Sequence, residues 1–96
     1  MEQIHLIISG RVQRVGFRRF VIRLAEQLNL SGWVRNCRNG DVETFAVGSA
    51  DVLSVFVEQC KKGPLFASVS DVRFLASDDF CTNQTTQGVF KVLATI

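Results

Sequence analysis

No stretch of this 96-residue sequence is long and apolar enough to cross a membrane or to form a signal-peptide core. Residues 1–10 carry no basic leader. Their mostly apolar run at residues 4–8 is interrupted by His5, whereas a spanning helix needs roughly 20 apolar residues. Cysteine is sparse: Cys37, Cys60 and Cys81 are odd in number, widely spaced and free of any C-x-x-C. Neither a disulfide framework nor a metal site is indicated, and reduced thiols in a cytoplasmic protein are expected. Repeats, linkers and low-complexity tracts are missing too. A chain of this length leaves no room for a second independent core, so residues 1–96 should form a single domain. The one histidine, His5, lies in the first apolar run and reads as a packed or edge residue rather than a base.

What is present describes a folded protein. Apolar residues make up 47% and charged residues 21%, far from the composition of disorder. Net charge is only +2, yet Arg11, Arg14, Arg18, Arg19 and Arg23 fall in one short stretch without an acid. Such a stretch either draws anions through its local field or forms a solvated helix face.

The hydrophobic pattern orders the elements. Ile4, Leu6 and Ile8 alternate with polar residues while Ile7 fills the run, which predicts a strand over residues 3–9. Phe17, Phe20, Val21, Leu24, Ala25 and Leu28 follow helical spacing with one apolar stripe. Residues 32–38 and 41–47 flank Asn39-Gly40, predicting a two-residue type I′ hairpin in which Arg38 opposes Asp41, Asn36 opposes Glu43 and Val34 opposes Phe45. Val34, Asn36, Phe45 and Val47 would then share one face, and Trp33, Arg35 and Cys37 the other.

Ser49 caps a second helix with Asp51 in its first turn and Leu53, Phe56, Val57 and Cys60 on its apolar side. Lys61 and Lys62, a left-handed Gly63 and the single proline, Pro64, mark its end. Strands are expected at residues 69–75 and 89–93, with a polar loop at 77–88 between them. The order is βαββαβ plus a short terminal strand. It predicts an α+β, ferredoxin-like sandwich: an antiparallel sheet with two helices on one face.

Between the first strand and first helix lies Gly10-Arg11-Val12-Gln13-Arg14-Val15-Gly16, followed by Phe17-Arg18. A loop feeding a helix start offers unpaired backbone N–H groups to an anion, and Arg18 can add a forked, charge-assisted contact. An ordinary strand-to-helix connection is the competing reading. The nucleotide patterns G-x-x-x-x-G-K-[ST] and G-x-G-x-x-G are absent. In a right-handed split βαβ unit the carboxyl ends of the first two strands meet where the first helix begins. Asn36 then faces the loop, where an amide can orient a water; alternatively it is a solvated asparagine before a turn.

The loop at residues 10–18, together with Gly32-Trp33-Val34-Arg35-Asn36 and Asn39-Gly40-Asp41-Val42-Glu43, resembles the acylphosphatases, and Gly63-Pro64 fits the same pattern. The resemblance implies hydrolysis of the carboxyl-phosphate bond of small acyl phosphates. It implies a phosphate-binding loop formed by Val12, Gln13, Arg14, Val15, Gly16, Phe17 and Arg18, with Arg18 as anchor and Asn36 positioning the water. It implies no metal and no organic cofactor, and a substrate whose own phosphate oxygen takes the proton from water. One departure stands out: the family usually has glycine where this chain has Arg14.

Two other functions fit parts of the pattern. A catalytically weak module binding phosphate or carbamoyl phosphate, similar to the amino-terminal domain of hydrogenase-maturation carbamoyltransferases, would account for Arg14. The absence of an attached catalytic domain argues for the enzyme. A single-stranded nucleic-acid binder would use the open sheet face, which offers Trp33 but lacks a Gly-Phe-x-Phe-type strand motif. The expected partner is therefore a small acyl phosphate, without nucleic acid or membrane, acted on by a monomer.

Overall fold

The computed structural model describes residues 2–75 and 90–95. Over them the elements run β1 (Glu2–Arg11), α1 (Phe17–Gln27), β2 (Ser31–Asn36), β3 (Val42–Gly48), α2 (Ala50–Lys62), β4 (Ser68–Phe74) and β5 (Phe90–Val92). The expected loop at 77–88, Val89 and Cys81 lie outside the described residues.

Within one sheet the strand order is β4-β1-β3-β2-β5. β1 pairs antiparallel with both β3 and β4, and β2 pairs antiparallel with β3, so β1 and β2 run the same way with β3 between them. α1 lies over β2 and β5, and α2 over β1 and β4. This is the expected ferredoxin-like α+β arrangement, with one correction to the sheet. β5 runs parallel to β2, through Gly32 opposite Phe90 and Val34 opposite Val92. β4 and β5 occupy opposite edges, so no tight hairpin joins them, and only a hairpin forces successive strands to be antiparallel.

Alternation along the strands decides what the helices cover. Leu6 and Ile8 of β1, Val34 of β2, and Val42 and Ala46 of β3 are buried together with Phe17, Val21, Leu24 and Ala25 of α1 and with Leu53, Phe56, Val57 and Cys60 of α2. Burying a large apolar side chain contributes about 1.5–3 kcal/mol, which makes this layer the main source of cohesion.

The helix boundaries follow their local chemistry. Ser49 Oγ accepts the Val52 N–H at 3.4 Å, Asp51 sits in the first turn of α2, and Lys61 and Lys62 in its last. Gly63 has φ 69° and ψ 178° rather than the left-handed helical pair expected of it. The following Pro64 explains the difference, because it drives the residue before it to extended ψ.

The β2–β3 hairpin also departs from expectation. Its register pairs Asn36 with Val42, Arg35 with Glu43, Val34 with Thr44 and Trp33 with Phe45. The Cys37 N–H donates to Asp41 O at 2.8 Å and the Gly40 N–H to Cys37 O at 3.1 Å, which makes a three-residue loop. Gly40 has φ 101°, whereas Asn39 is not at positive φ, so a type I′ turn is excluded. Asn39 instead accepts the Asp41 N–H on its side chain at 3.0 Å. The extra residue carries Phe45 and Val47 to the face opposite the helices and brings Val42, Thr44 and Ala46 beneath them.

Candidate functional site

β1 does not run straight into its loop. Its pairing with β4 shifts register between Ser9 and Gly10, and Gly10 adopts φ 121°. A Cβ on Gly10 would lie 2.2 Å from the Ser68 carbonyl oxygen, so the crossing tolerates only glycine. Beyond this bulge the chain turns toward α1 through two left-handed residues, Arg14 at φ 63° and Gly16 at φ 79°.

Gly16 is the N-cap of α1, and no side chain caps that end. The first helical hydrogen bond runs from the Phe20 N–H to Gly16 O at 3.0 Å. The N–H groups of Phe17, Arg18 and Arg19 therefore have no intrahelical acceptor. Val12 and Phe17 bury their side chains in the core, so their contribution to an anion site is confined to the main chain.

A cleft of about 340 Å³ opens at this helix end, lined by Val12, Gly16 and Phe17, by Arg14, Arg18 and Arg19, and by Asn36. The three arginines are exposed and Asn36 is half-buried. Of the residues expected in the site, Val12, Arg14, Gly16, Phe17, Arg18 and Asn36 line one concavity. Arg19, part of the same arginine stretch, joins them. Asn36 reaches the cleft because it shares the helix-covered face with Val34 at the end of β2.

The charge pattern of α1 runs against the usual one. Its first turn holds no acid and its last no base, whereas α2 has both in the favourable places. Positive charges at a helix's positive pole are unfavourable until an anion arrives between them. Among the described residues, no ion pair engages Arg14, Arg18 or Arg19. The cleft is thus an uncompensated cationic pocket with donors from main chain and side chain, suited to a tetrahedral oxyanion.

Gln13 and Val15 do not line the cleft. Val15 is half-buried and packs against the core. Gln13 gives its carboxamide to the hairpin: Nε2 donates to Cys37 O at 2.7 Å and to Asp41 O at 2.8 Å. The sequence places Gln13 in the anion loop and carries no local sign of this contact, because its acceptors are backbone carbonyls far along the chain.

The opposite face of the sheet holds a second polar group. His5 Nε2 and Glu43 Oε2 are 2.5 Å apart, and Arg35 Nε donates to Glu43 Oε1 at 2.8 Å. The Arg35 guanidinium lies 4.8 Å from the Trp33 ring centroid, and Trp33 stacks on Phe45. Trp33 is only 3% exposed, so it is not the open stacking platform that a nucleic-acid binder would need. His5 and Glu43 are engaged with each other across the sheet from the cleft and do not face it as bases.

The described thiols are poor nucleophiles. Burial pushes the Cys60 thiol up to about 12, and Cys37 is raised by burial and then by the Glu43 carboxylate. Among the described residues, no three His, Cys, Asp or Glu side chains gather to hold a metal ion.

Comparison with known proteins places the chain in one family. The family model Acylphosphatase matches residues 4–87. An acylphosphatase of Bifidobacterium longum is 48% identical over 68 residues, covering 71% of this chain and 70% of its own. The crystal structure of acylphosphatase from Bacillus subtilis superposes with a TM-score of 0.83 at 35% identity, over 97% of this chain and 99% of that one. A full-length HypF in phosphate- and nucleotide-bound form is also similar, with a TM-score of 0.75 at 25% identity, but this chain covers 12% of it.

Proposed function

The chain belongs to the acylphosphatase family and hydrolyses acyl phosphates, and we propose that it does so in the cleft at the start of α1, with Arg18 as phosphoryl anchor and Asn36 as the water-positioning group. The observation that carries the proposal is the convergence of Arg18 and Asn36 on one cleft from elements far apart in sequence.

The phosphoryl oxygens take the free N–H groups of the loop and first helical turn, and the Arg18 guanidinium grips two of them. The Asn36 carboxamide oxygen accepts a hydrogen bond from a water and so turns the water's lone pair toward phosphorus. As the new P–O bond forms, the bond to the acyl oxygen breaks and its electron pair leaves on the carboxylate. A carboxylate is a stable anion and needs no acid to depart. The water's proton passes to a phosphate oxygen of the substrate, consistent with a cleft lined by no acid or histidine among the described residues. Rate acceleration then rests on positioning and charge neutralisation.

The matching setting is a monomer in the cytoplasm acting on a small acyl phosphate without nucleic acid. The unpatterned cysteines and the burial of Trp33 support it, and no described helix is long and apolar enough to cross a membrane. The test is saturable phosphate release from benzoyl phosphate in EDTA, by the parent protein and by Asn36→Ala. Turnover in the parent with a much lower kcat and nearly unchanged phosphate inhibition in the variant is the expected result. An equal loss in both quantities would make Asn36 a binding residue instead.

A further inference from the structure

We infer that Gln13 is a positioning residue of this reaction, fastening the anion loop to the hairpin that carries Asn36; the inference rests on the water-positioning role proposed for Asn36. A primary carboxamide has two N–H donors, and one nitrogen, Gln13 Nε2, lies within hydrogen-bond distance of both Cys37 O and Asp41 O. Both donors are thereby used, so the side chain has none left for a phosphate. Its remaining polar atom is an acceptor, which would repel one.

The two acceptors are the residues that close the hairpin. Cys37 N–H already donates to Asp41 O, and the next rung of the ladder is Asn36 opposite Val42. The carboxamide therefore clips onto the end of the ladder one residue from Asn36. On the loop side, Gln13 immediately precedes Arg14, whose left-handed φ of 63° needs a surrounding that holds it. Gln13 thus joins the two halves of the site: the cradle that binds the phosphoryl group and the strand end that aims the water. Neutrality matters as well. A lysine could also donate to two carbonyls, but it would add a charge beside the cleft.

Loss of this clip should leave the cradle able to bind phosphate while letting Asn36 drift from its line of attack. The test is a double-mutant cycle on Gln13→Met, which keeps the side chain's length and removes its donors, with Asn36→Ala, read on benzoyl phosphate. Gln13→Met is expected to lower kcat by about 10- to 100-fold, the scale of a misplaced reactant, while the inhibition constant for phosphate changes by less than about threefold. In the Asn36→Ala background the same substitution should have almost no further effect, because the group it positions is gone.

Gln13→Glu has the same shape but sets a carboxylate against two carbonyls. It should lose kcat at neutral pH and regain part of it as the carboxyl protonates and becomes a donor. Undiminished kcat in a folded Gln13→Met protein, or a loss that simply multiplies with that of Asn36→Ala, would overturn the inference. If Asn36→Ala alone leaves kcat unchanged, the failure lies with the role of Asn36. Should Gln13→Met not fold, Gln13→Glu alone decides: a kcat independent of pH between 4 and 7, relative to the parent, refutes the clip.

Discussion

Arg14 and Gly16 stand on either side of Val15 with φ angles of 63° and 79°, so the loop passes twice through the left-handed region before α1 begins. Glycine takes that region freely, whereas an arginine there carries a backbone cost of roughly 1–2 kcal/mol. Arg14→Gly should therefore relieve local strain and leave phosphate inhibition equal or stronger. The greater unfolded-state entropy of glycine opposes the relief at a similar magnitude, so binding rather than melting temperature is the informative readout. A marked loss of phosphate affinity that shrinks at high salt would show Arg14 contributing its charge to the bound anion.

Arg18→Ala removes the side-chain fork and leaves the main-chain donors in place. Hydrolysis should fall below detection, and phosphate inhibition should weaken by about 1.5–3 kcal/mol, the worth of a charge-assisted contact. Arg23→Ala is the control, since Arg23 does not line the cleft, and phosphate should inhibit this variant as it does the parent. Equal behaviour of the two variants in a folded state would remove Arg18 from the anchor role.

Gly32 has φ 145°, and a Cβ there would lie 1.9 Å from the Phe45 carbonyl oxygen on the adjacent strand. Neither backbone can withdraw without breaking the β2–β3 ladder. Gly32→Ala is therefore expected to cost about 3 kcal/mol or more, from strain and overpacking together. Urea unfolding gives the number, and an unfolding free energy within about 1 kcal/mol of the parent would mean that the strands separate more easily than this packing implies.

Cys60 supplies a pH signature. Its thiol is raised from 9.0 to about 12 in the folded protein by burial, while the unfolded chain keeps the ordinary value. The folded state thus holds a proton that the unfolded state releases. The corresponding stability is fully present below pH 9 and declines as pH rises toward 12, at up to about 1.4 kcal/mol per unit. Cys60→Ala should be less stable near neutrality through the cavity it leaves, yet show a shallower decline over that window. Parallel pH profiles for the two proteins would indicate that the thiol ionises through local opening.

The positions of Arg18 and Asn36 beside one cleft are legible in the sequence for different reasons. Arg18 follows a glycine loop at the start of a periodic helix, a local signal. Asn36 was found by parity, since it shares a face with Val34 whatever the hairpin register. The partner strand was less readable because β3 is buried on both faces through most of its length, so its apolar residues could not report which set lies under the helices. Asn-Gly suggested the shorter turn, and the bond from the Asp41 N–H to Asn39 Oδ1 favours the longer one. Gln13, and the grouping of His5 with Glu43 and Arg35, depend on contacts between distant segments that no local pattern encodes.

The placement of β1 in the sheet bears on how quickly the molecule can assemble. Both its neighbours are remote in sequence: Glu2 meets Gly48, and Leu6 meets Phe74. Among the described strands, only β2 and β3 can zip locally. Large loops must close before the first strand gains a partner, and their entropy is lost before any contact compensates for it. Such a topology is expected to fold more slowly than a helical bundle held by local contacts. During synthesis, Leu6 and Ile8 leave the ribosome long before β3 and β4 do, so the strand that leads into the loop before α1 is among the last to be paired.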